Sequence, residues 1–237
     1  STIAELYTEQ EPTVSEESQK LKVLIAASEG MPFVATGGLG EVIGSLPKAI
    51  MKENSEHFDV RVIMPLYESI SFEERQQMEF IAHFDVGLAW RKQYCGLFRT
   101  EKNGVTYYFI DNEYYFKRNN AYGYFDDGER FAFFSKAVLD SIHFLEFEPQ
   151  MIHCHDWQTG LVPVYLKERF QGNEFFRGMK SVITIHNLKF QGKWNIETVK
   201  HMTDLDWSYF TSDKLEAYGD ANLLKGGLVY ADVITTV

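Results

Sequence analysis

The chain has 237 residues, of which 45% are hydrophobic and 24% charged, as in ordinary soluble globular proteins. Its formal net charge of −11 at pH 7 argues against binding to nucleic acid or to an anionic membrane surface. The chain has no apolar run of about 18 residues and no secretory signal pattern, so neither a transmembrane helix nor secretion is expected. Two cysteines, Cys95 and Cys154, do not make a disulfide framework, which fits a reducing cytosol.

Residues 1–20 are acidic and rich in Ser, Thr and Gln, which is typical of a flexible leader. From residue 21 onward, apolar runs of strand length alternate with segments of helical periodicity. The predicted strands are KVLIAAS, DVRVIMPLY, MEFIAHFDVGLAW, QYCGLFRTEKNGVTYYFIDN, QMIHCHD, KSVITIHN and the end of NLLKGGLVYADVITTV. The predicted helices are GLGEVIGSLPKAIMKE, DGERFAFFSKAVLDSIHFLEF, WQTGLVPVYLKERF and the start of NLLKGGLVYADVITTV. Asp126 and Asp127 are candidate N-caps of the second helix.

Apolar strands that alternate with helices predict βαβ units and a parallel sheet. Asn103–Gly104 predicts a hairpin turn, because Asn-Gly is a preferred two-residue hairpin connection. The predicted fold class is therefore α/β, a Rossmann-like parallel sheet with helices on both faces and an inserted β-hairpin, over residues 21–237. Ligands of such sheets bind beyond the carboxyl ends of the strands, where SEGMPFVATGG, HCHDW and TIHNLKFQG occur.

Glycines are concentrated where the first predicted helix begins, at Gly37, Gly38, Gly40 and Gly44. Glycine costs conformational entropy, so its use here implies an unusual backbone shape or a ligand close to the chain. A helix N-terminus with unpaired N–H groups attracts anions such as phosphate. TGGLG matches neither common phosphate-binding fingerprint, and a tight turn without a ligand is an equally good interpretation. For Lys225-Gly226-Gly227 in the last helix, close helix–sheet packing is the favoured interpretation.

Polar residues follow two predicted strands, with His153, His155 and Asp156 after one and His186 and Asn187 after the next. A metal site is one interpretation, although no further His or Asp cluster completes a ligand set. The other interpretations are hydrogen-bonded groups that tie strand ends to loops, and a site for a sugar or a phosphate. Two neighbouring strand ends with similar residues favour a site but do not choose its chemistry.

Five segments in this order resemble bacterial glycogen synthases and plant starch synthases, which are family 5 glycosyltransferases built from two Rossmann-like domains (GT-B type). They are VLIAASEGMPFVATGGLGEVIGSLPKAI, ERFAFFSKA, IHCHDWQTGLVPVYLKE, TIHNLKFQG and NLLKGGLVYADVITTV. The resemblance implies transfer of glucose from ADP-glucose to the non-reducing end of an α-1,4-glucan, with retention and without a cofactor or metal. It implies a cytoplasmic protein, or a plastid one in a plant.

The resemblance also implies that this chain is the N-terminal, acceptor-side half of the enzyme. The active site then lies in a cleft shared with a C-terminal Rossmann-like domain of the same parent chain, which holds most of the nucleotide. The fragment alone is therefore expected to be inactive. Ala35 stands where the family motif has a lysine that binds the donor phosphate. This departure motivates an alternative from another class, a non-catalytic glucan-binding or regulatory module. A metal-dependent hydrolase built on His153, His155, Asp156 and His186 is a weaker alternative.

The site residues follow from the resemblance position by position. His186 and Asp156 match two catalytic cleft residues, and His186 is implied to bond the transferred glucose. Asn187 lies beside His186 as a substrate-binding residue. An oxocarbenium-like transition state requires nearby negative charge or carbonyl dipoles, which fits the presence of Asp156 in this cluster.

Donor binding is assigned in the same way to the glycine-rich loop. Gly37 and Gly38 match the glycines whose backbone approaches the donor phosphates. Glu41 stands where an aspartate within reach of the nucleotide is common in the family. Tyr124 matches a tyrosine that faces the cleft and contacts substrate.

Overall fold

The structure is a computed structural model that describes residues 20–52 and 55–237. The predicted leader, except for its last residue, lies outside the described residues. The strands are β1 (Leu21–Ala26), β2 (Phe58–Pro65), β3 (Glu79–Leu88), β4 (Arg91–Lys102), β5 (Val105–Asp111), β6 (Met151–His155), β7 (Lys180–Ile185), β8 (Lys193–Trp194), β9 (Glu216–Ala217), β10 (Asp220–Asn222) and β11 (Val233–Thr236). The helices are α1 (Gly38–Lys52), α2 (Phe72–Gln76), α3 (Glu113–Phe116), α4 (Asp127–Ser141), α5 (Leu161–Tyr165), α6 (Ile196–Thr203) and α7 (Leu223–Tyr230).

Eight strands form the central sheet in the order β11-β7-β6-β1-β2-β5-β4-β3. The six strands from β11 to β5 run parallel, and β4 and β3 continue the sheet in antiparallel pairing. A separate small sheet has the order β8-β10-β9. Consecutive residues of the central strand β1, from Val23 to Ala26, are all buried, so both faces of the sheet are covered. This arrangement confirms the predicted α/β class with its parallel sheet and inserted hairpin.

The antiparallel end of the sheet follows from local backbone chemistry. Asn103 and Gly104 join β4 to β5 with φ angles of 53° and 78°, and positive φ at both positions gives the turn that matches strand twist. The predicted hairpin turn is therefore confirmed. Among the described residues, strand β3 pairs only with β4. It carries a register shift between Phe80 and Ala82, and such bulges are common at sheet edges.

Two expectations about helix α4 and the segment after β6 need correction. Asp126 occupies the N-cap position of α4, but its side chain makes no capping bond and pairs instead with Arg118. The carboxylate of Asp127 accepts from the backbone N–H groups of residues 123 and 124 and from Arg130. Both aspartates therefore anchor the loop before α4 rather than cap the helix.

The segment after β6 also differs from the prediction. The single helix predicted over WQTGLVPVYLKERF is divided into a 3₁₀ turn, α5 and a π-helical turn at Leu166–Phe170.

The glycine pair in the last helix is explained by close packing. A Cβ on Gly227 would lie 2.6 Å from Ile183 Cδ1 of β7 and 3.0 Å from the Cα of Gly160. A Cβ on Gly226 would lie 3.0 Å from Leu215 Cγ. These contacts confirm the packing interpretation, since only glycine allows α7 to lie this close to the sheet and to the start of α5. None of the helices in the described ranges is long and apolar enough to cross a bilayer.

Candidate active-site cleft

A cleft of about 730 Å³ opens at the carboxyl ends of β1, β6 and β7. This is the edge of a parallel sheet at which ligands bind in folds of this class. Its lining comes from the loops after these strands, the start of α1, the segment before α4 and the end of β11. The lining residues are Glu29, Thr36, Gly37, Gly38, Leu39, Val42, Tyr122, Gly123, Asp127, Asp156, Trp157, Gln158, His186, Asn187, Phe190 and Val237.

A buried carboxylate organises the loop between β1 and α1. Glu29 is 3% exposed and accepts hydrogen bonds from the backbone N–H of Thr36 at 2.6 Å and from its hydroxyl at 2.8 Å. It also accepts from the hydroxyl of Tyr122 at 2.9 Å and, more weakly, from the N–H of Gly37 at 3.4 Å. The carboxylate is satisfied by partners from both sides of the loop, so Glu29 holds the glycine-rich segment in place.

The four glycines of this segment divide into two kinds. A Cβ on Gly37 or Gly38 would meet no atom within 4 Å, and both residues line the cleft. A Cβ on Gly40 would lie 2.6 Å from the Cβ of Ala35, and one on Gly44 would lie 2.6 Å from the Cβ of Met31. The first pair therefore leaves room at the N-terminus of α1, where N–H groups lack helical partners. The second pair lets the loop pack against the helix.

Asp156 has a backbone conformation that residues other than glycine rarely adopt, with φ 59° and ψ −171°. Its Oδ1 accepts the backbone N–H of His186 at 2.7 Å and that of Asn187 at 3.3 Å, and its own N–H donates to the carbonyl of Thr184 at 3.0 Å. Burial raises the pKa of Asp156 above its ordinary value, and the two N–H donors partly offset this increase. Strained residues of this kind cost about 1–3 kcal/mol and cluster at functional sites.

The three histidines of this region pair with neighbours rather than converge on one point. His155 Nδ1 lies 2.8 Å from His186 Nε2, and His153 Nε2 lies 2.6 Å from the hydroxyl oxygen of Thr184. Burial lowers the pKa of all three, to about 4 for His153. Within residues 20–52 and 55–237, no group of three or more His, Cys, Asp or Glu is placed to hold a metal ion. The side-chain geometry thus favours a hydrogen-bonded polar site over the metal-site interpretation.

Five of the seven predicted site residues meet in this cleft: Gly37, Gly38, Asp156, His186 and Asn187. The other two do not line it. Glu41 is exposed on α1. The hydroxyl oxygen of Tyr124 accepts the N–H of Asn120, and the guanidinium groups of Arg118 and Arg130 lie against its ring.

Sequence reasoning missed Glu29 and Tyr122, which line the cleft. The signal for Glu29 was available, because it is an acidic residue just after a buried strand, at the sheet edge that binds ligands. Tyr122 lies two residues before the tyrosine that was predicted. Ala35 faces an adjoining pocket of about 550 Å³ that shares Thr36 and Tyr122 with the cleft.

Comparison with known proteins gives a consistent result. Residues 22–237 match the sequence profile of the family described as the starch synthase catalytic domain. Glycogen synthase of Lachnospira eligens is 59% identical over 216 residues, which are 91% of this chain and 45% of that protein. Glycogen synthase of Lachnoclostridium phytofermentans is 55% identical over 217 residues, again 91% of this chain and 45% of that protein. The chain therefore spans about half the length of the curated relatives it matches.

A solved structure shares the fold. The catalytic domain of starch synthase IV from Arabidopsis thaliana, bound to ADP and acarbose, matches with a TM-score of 0.83 and 24% sequence identity. The match covers 92% of this chain and 45% of that one. It supports the predicted assignment of the sheet to one half of a two-domain GT-B architecture.

Proposed function

The chain belongs to the family of starch synthase catalytic domains, and we propose that it is the N-terminal, acceptor-side half of a glucosyltransferase. The proposed reaction moves glucose from ADP-glucose to the non-reducing end of an α-1,4-glucan, with retention at the anomeric carbon. Relatives named glycogen synthase support this proposal, as does the ADP bound to the Arabidopsis protein of the same fold. ADP is what remains of ADP-glucose once the glucose has left.

The observation that carries the proposal is the division of charge in the cleft. Its lining within the described residues includes the carboxylates of Glu29, Asp127 and Asp156 and no Lys or Arg, although Asp127 is paired with the buried Arg130 outside the lining. A leaving diphosphate requires cations, so we infer that the C-terminal domain of the parent chain supplies them. This half offers the N–H groups at the start of α1, reached over the open Gly37 and Gly38.

The carboxylates of the cleft also suit the charge that develops at the anomeric carbon of the donor glucose. Positive charge develops at the anomeric carbon as the diphosphate leaves, and nearby carboxylates stabilise it. His186 is the proposed contact to the transferred glucose, and Asp156 holds the backbone of His186 and Asn187 in position. Glu41 and Tyr124 stay predictions for the donor and the substrate. Glucose transfer by variants of the full-length protein substituted at Glu41 or at Tyr124 tests whether residues outside the cleft lining also contribute to the site.

The test is glucose transfer to glycogen from ADP-glucose and from UDP-glucose, measured with the full-length parent protein and with this chain alone. We expect the parent to transfer glucose and this chain to be inactive, because the cations for the diphosphate lie elsewhere. In the parent, His186→Ala should lower turnover at least about 100-fold, a size typical of lost transition-state contacts. Thr198→Ala, on α6 outside the cleft lining, is the control substitution.

Two results would contradict the proposal. Turnover by this chain alone would show that the second half is not needed. A parent that binds glycogen but transfers from neither donor would support the glucan-binding module instead, with Ala35 in place of the motif lysine as the first residue to revert.

A further inference from the structure

His155 lies behind His186, where it does not line the cleft. The residue is 1% exposed, and its Nδ1 is 2.8 Å from Nε2 of His186. Burial lowers the pKa of both imidazoles, which favours the neutral form of both rings near pH 7. Two neutral rings at this distance share one N–H between the facing nitrogens, and either ring can be the donor.

The remaining nitrogen of each ring decides between these arrangements. Nε2 of His155 is buried and has no hydrogen-bond partner among the described residues. Nδ1 of His186 also has no hydrogen-bond partner in that part of the chain, but its ring lines the cleft. If His186 donated, His155 would bury an N–H group without an acceptor. If His155 donates from Nδ1, its Nε2 is an unprotonated acceptor that lacks a donor. Proteins tolerate a buried acceptor without a partner better than a buried N–H group without one.

We propose that His155 is a positioning residue whose Nδ1–H donates to Nε2 of His186 and thereby holds the His186 proton on Nδ1, the nitrogen of this cleft-lining ring that does not face His155. The ring of His155 is kept in place by its neighbours. Its own backbone N–H donates to the hydroxyl of Thr159 at 2.7 Å, and the ring of His153 lies 4.1 Å away, centroid to centroid. The ring of His155 is thus held in one tautomer directly behind His186.

The consequence for chemistry rests on the proposed function. With its proton on Nδ1, His186 is a hydrogen-bond donor to a sugar hydroxyl or a phosphate oxygen in the cleft. It has no lone pair there with which to remove a proton from the acceptor glucan. Its expected role is therefore to orient the donor glucose, and the base for the acceptor hydroxyl must be a different group.

The first experiment reads the tautomer directly. The full-length protein is labelled with ¹⁵N-histidine, and its imidazole nitrogens are observed by long-range ¹H–¹⁵N correlation near pH 7. His186→Gln and His155→Gln variants assign the two sets of signals. We expect the pattern of a neutral ring protonated on Nδ1 for both residues. A His186 ring protonated on Nε2, or on both nitrogens, would overturn the proposal. This measurement does not depend on activity, so it stands even if the proposed reaction fails.

The second experiment uses two substitutions of His155 in the full-length protein. His155→Asn keeps an N–H donor on Cγ, where Nδ1 is attached, whereas His155→Leu has a similar shape and no donor. We expect the Asn variant to keep kcat within about threefold and the Leu variant to lose about tenfold, with KM for ADP-glucose little changed. Equal losses in both variants, with both folded by circular dichroism, would contradict a role through the hydrogen bond. A wild-type protein without transfer activity would refute the proposed function and leave the tautomer to be decided by the spectra.

Discussion

Two pairs of adjacent glycines lie at or within helices of this chain, and the structure uses them in opposite ways. Gly37 directly precedes α1 and Gly38 begins it, beside the cleft, and added Cβ atoms there would meet nothing within 4 Å. Gly226 and Gly227 lie inside α7, where added Cβ atoms would approach neighbouring side chains and, for Gly227, the backbone of Gly160. The first pair leaves space that a ligand can fill, and the second pair removes bulk so that elements can touch.

The comparison extends to the surroundings of each pair. Near Gly37 and Gly38, the carboxylates of Glu29 and Asp156 are buried, the backbone of Asp156 is strained, and burial lowers the pKa values of the neighbouring histidines. Around Gly226 and Gly227 the contacts are with apolar side chains and backbone. Substitutions in the packed region should therefore change stability first, and substitutions in the cleft should change activity first.

The largest effect on stability is expected from adding a methyl group at the closely packed glycine pair of α7. Gly227→Ala places a methyl group 2.6 Å from Ile183 Cδ1 and 3.0 Å from the Cα of Gly160, and the backbone atom cannot easily move. Overpacking of this kind should lower the free energy of unfolding by about 2–3 kcal/mol, measured by urea denaturation. Gly178→Ala is the control, because its Cβ would meet nothing within 4 Å. Equal stability of the two variants would show that α7 can shift away at no cost.

The next effect concerns the carboxylate that orders the cleft. Asp156→Ala removes the acceptor for the N–H groups of His186 and Asn187. We expect turnover of the full-length protein to fall about 100-fold, since displacement of a catalytic group by about 1 Å has this cost. Asp156→Asn keeps an oxygen at this position and should lose far less. An Ala variant as active as wild type would remove Asp156 from the site.

A smaller loss is expected at the open glycines. Gly38→Ala should leave the free energy of unfolding unchanged or slightly higher, because alanine is the better helix residue and its Cβ meets no neighbour. The methyl group nevertheless enters the space proposed for the diphosphate. We expect kcat/KM for ADP-glucose to fall about tenfold, or about 1.4 kcal/mol. If activity is unchanged, the donor does not approach this loop.

The histidines of strand β6 should also make the free energy of unfolding depend on pH. The pKa of His153 is about 4 in the folded chain and about 6.5 when unfolded, so between these values the unfolded chain binds more protons. The contribution of His153 to the free energy of unfolding is therefore complete above about pH 6.5. It decreases as the pH falls, by at most about 1.4 kcal/mol per pH unit for each such histidine. Buried His155 acts in the same direction, whereas the raised pKa of Asp156 opposes them closer to pH 4.

Urea unfolding at several values between about pH 5 and about pH 7 tests this dependence. His153→Gln should make the curve shallower, and His201→Gln, at an exposed position on α6, is the control for the loss of an imidazole. A His153→Gln curve as steep as that of wild type would assign the pH dependence to other groups.

The sequence by itself determined the chain order of the eight central-sheet strands and of α1, α4 and α7, the hairpin turn, and the edge of the sheet where the candidate site lies. The small sheet β8-β10-β9 and the helices α2 and α3 were not predicted. The predicted features depend on local periodicity and on residues close in the chain. Asn103–Gly104 needs only its own backbone preferences, and continuous apolar runs such as β1 are buried on both faces wherever they lie in the sheet. The strand-end rule marked the segments that line the cleft, because parallel strands bring their carboxyl ends to one edge, and the family resemblance singled out five residues within them.

Only the tertiary structure decided which side chains face the cleft and what holds them there. Glu29 meets Tyr122 across 93 positions of sequence, and His155 meets His186 across 31. No local pattern distinguishes Tyr122 from Tyr124, or the open Gly38 from the packed Gly227, because the difference lies in atoms contributed by distant segments. Packing in three dimensions therefore turned a recognisable set of motifs into a cleft with a fixed pattern of charge and hydrogen bonding.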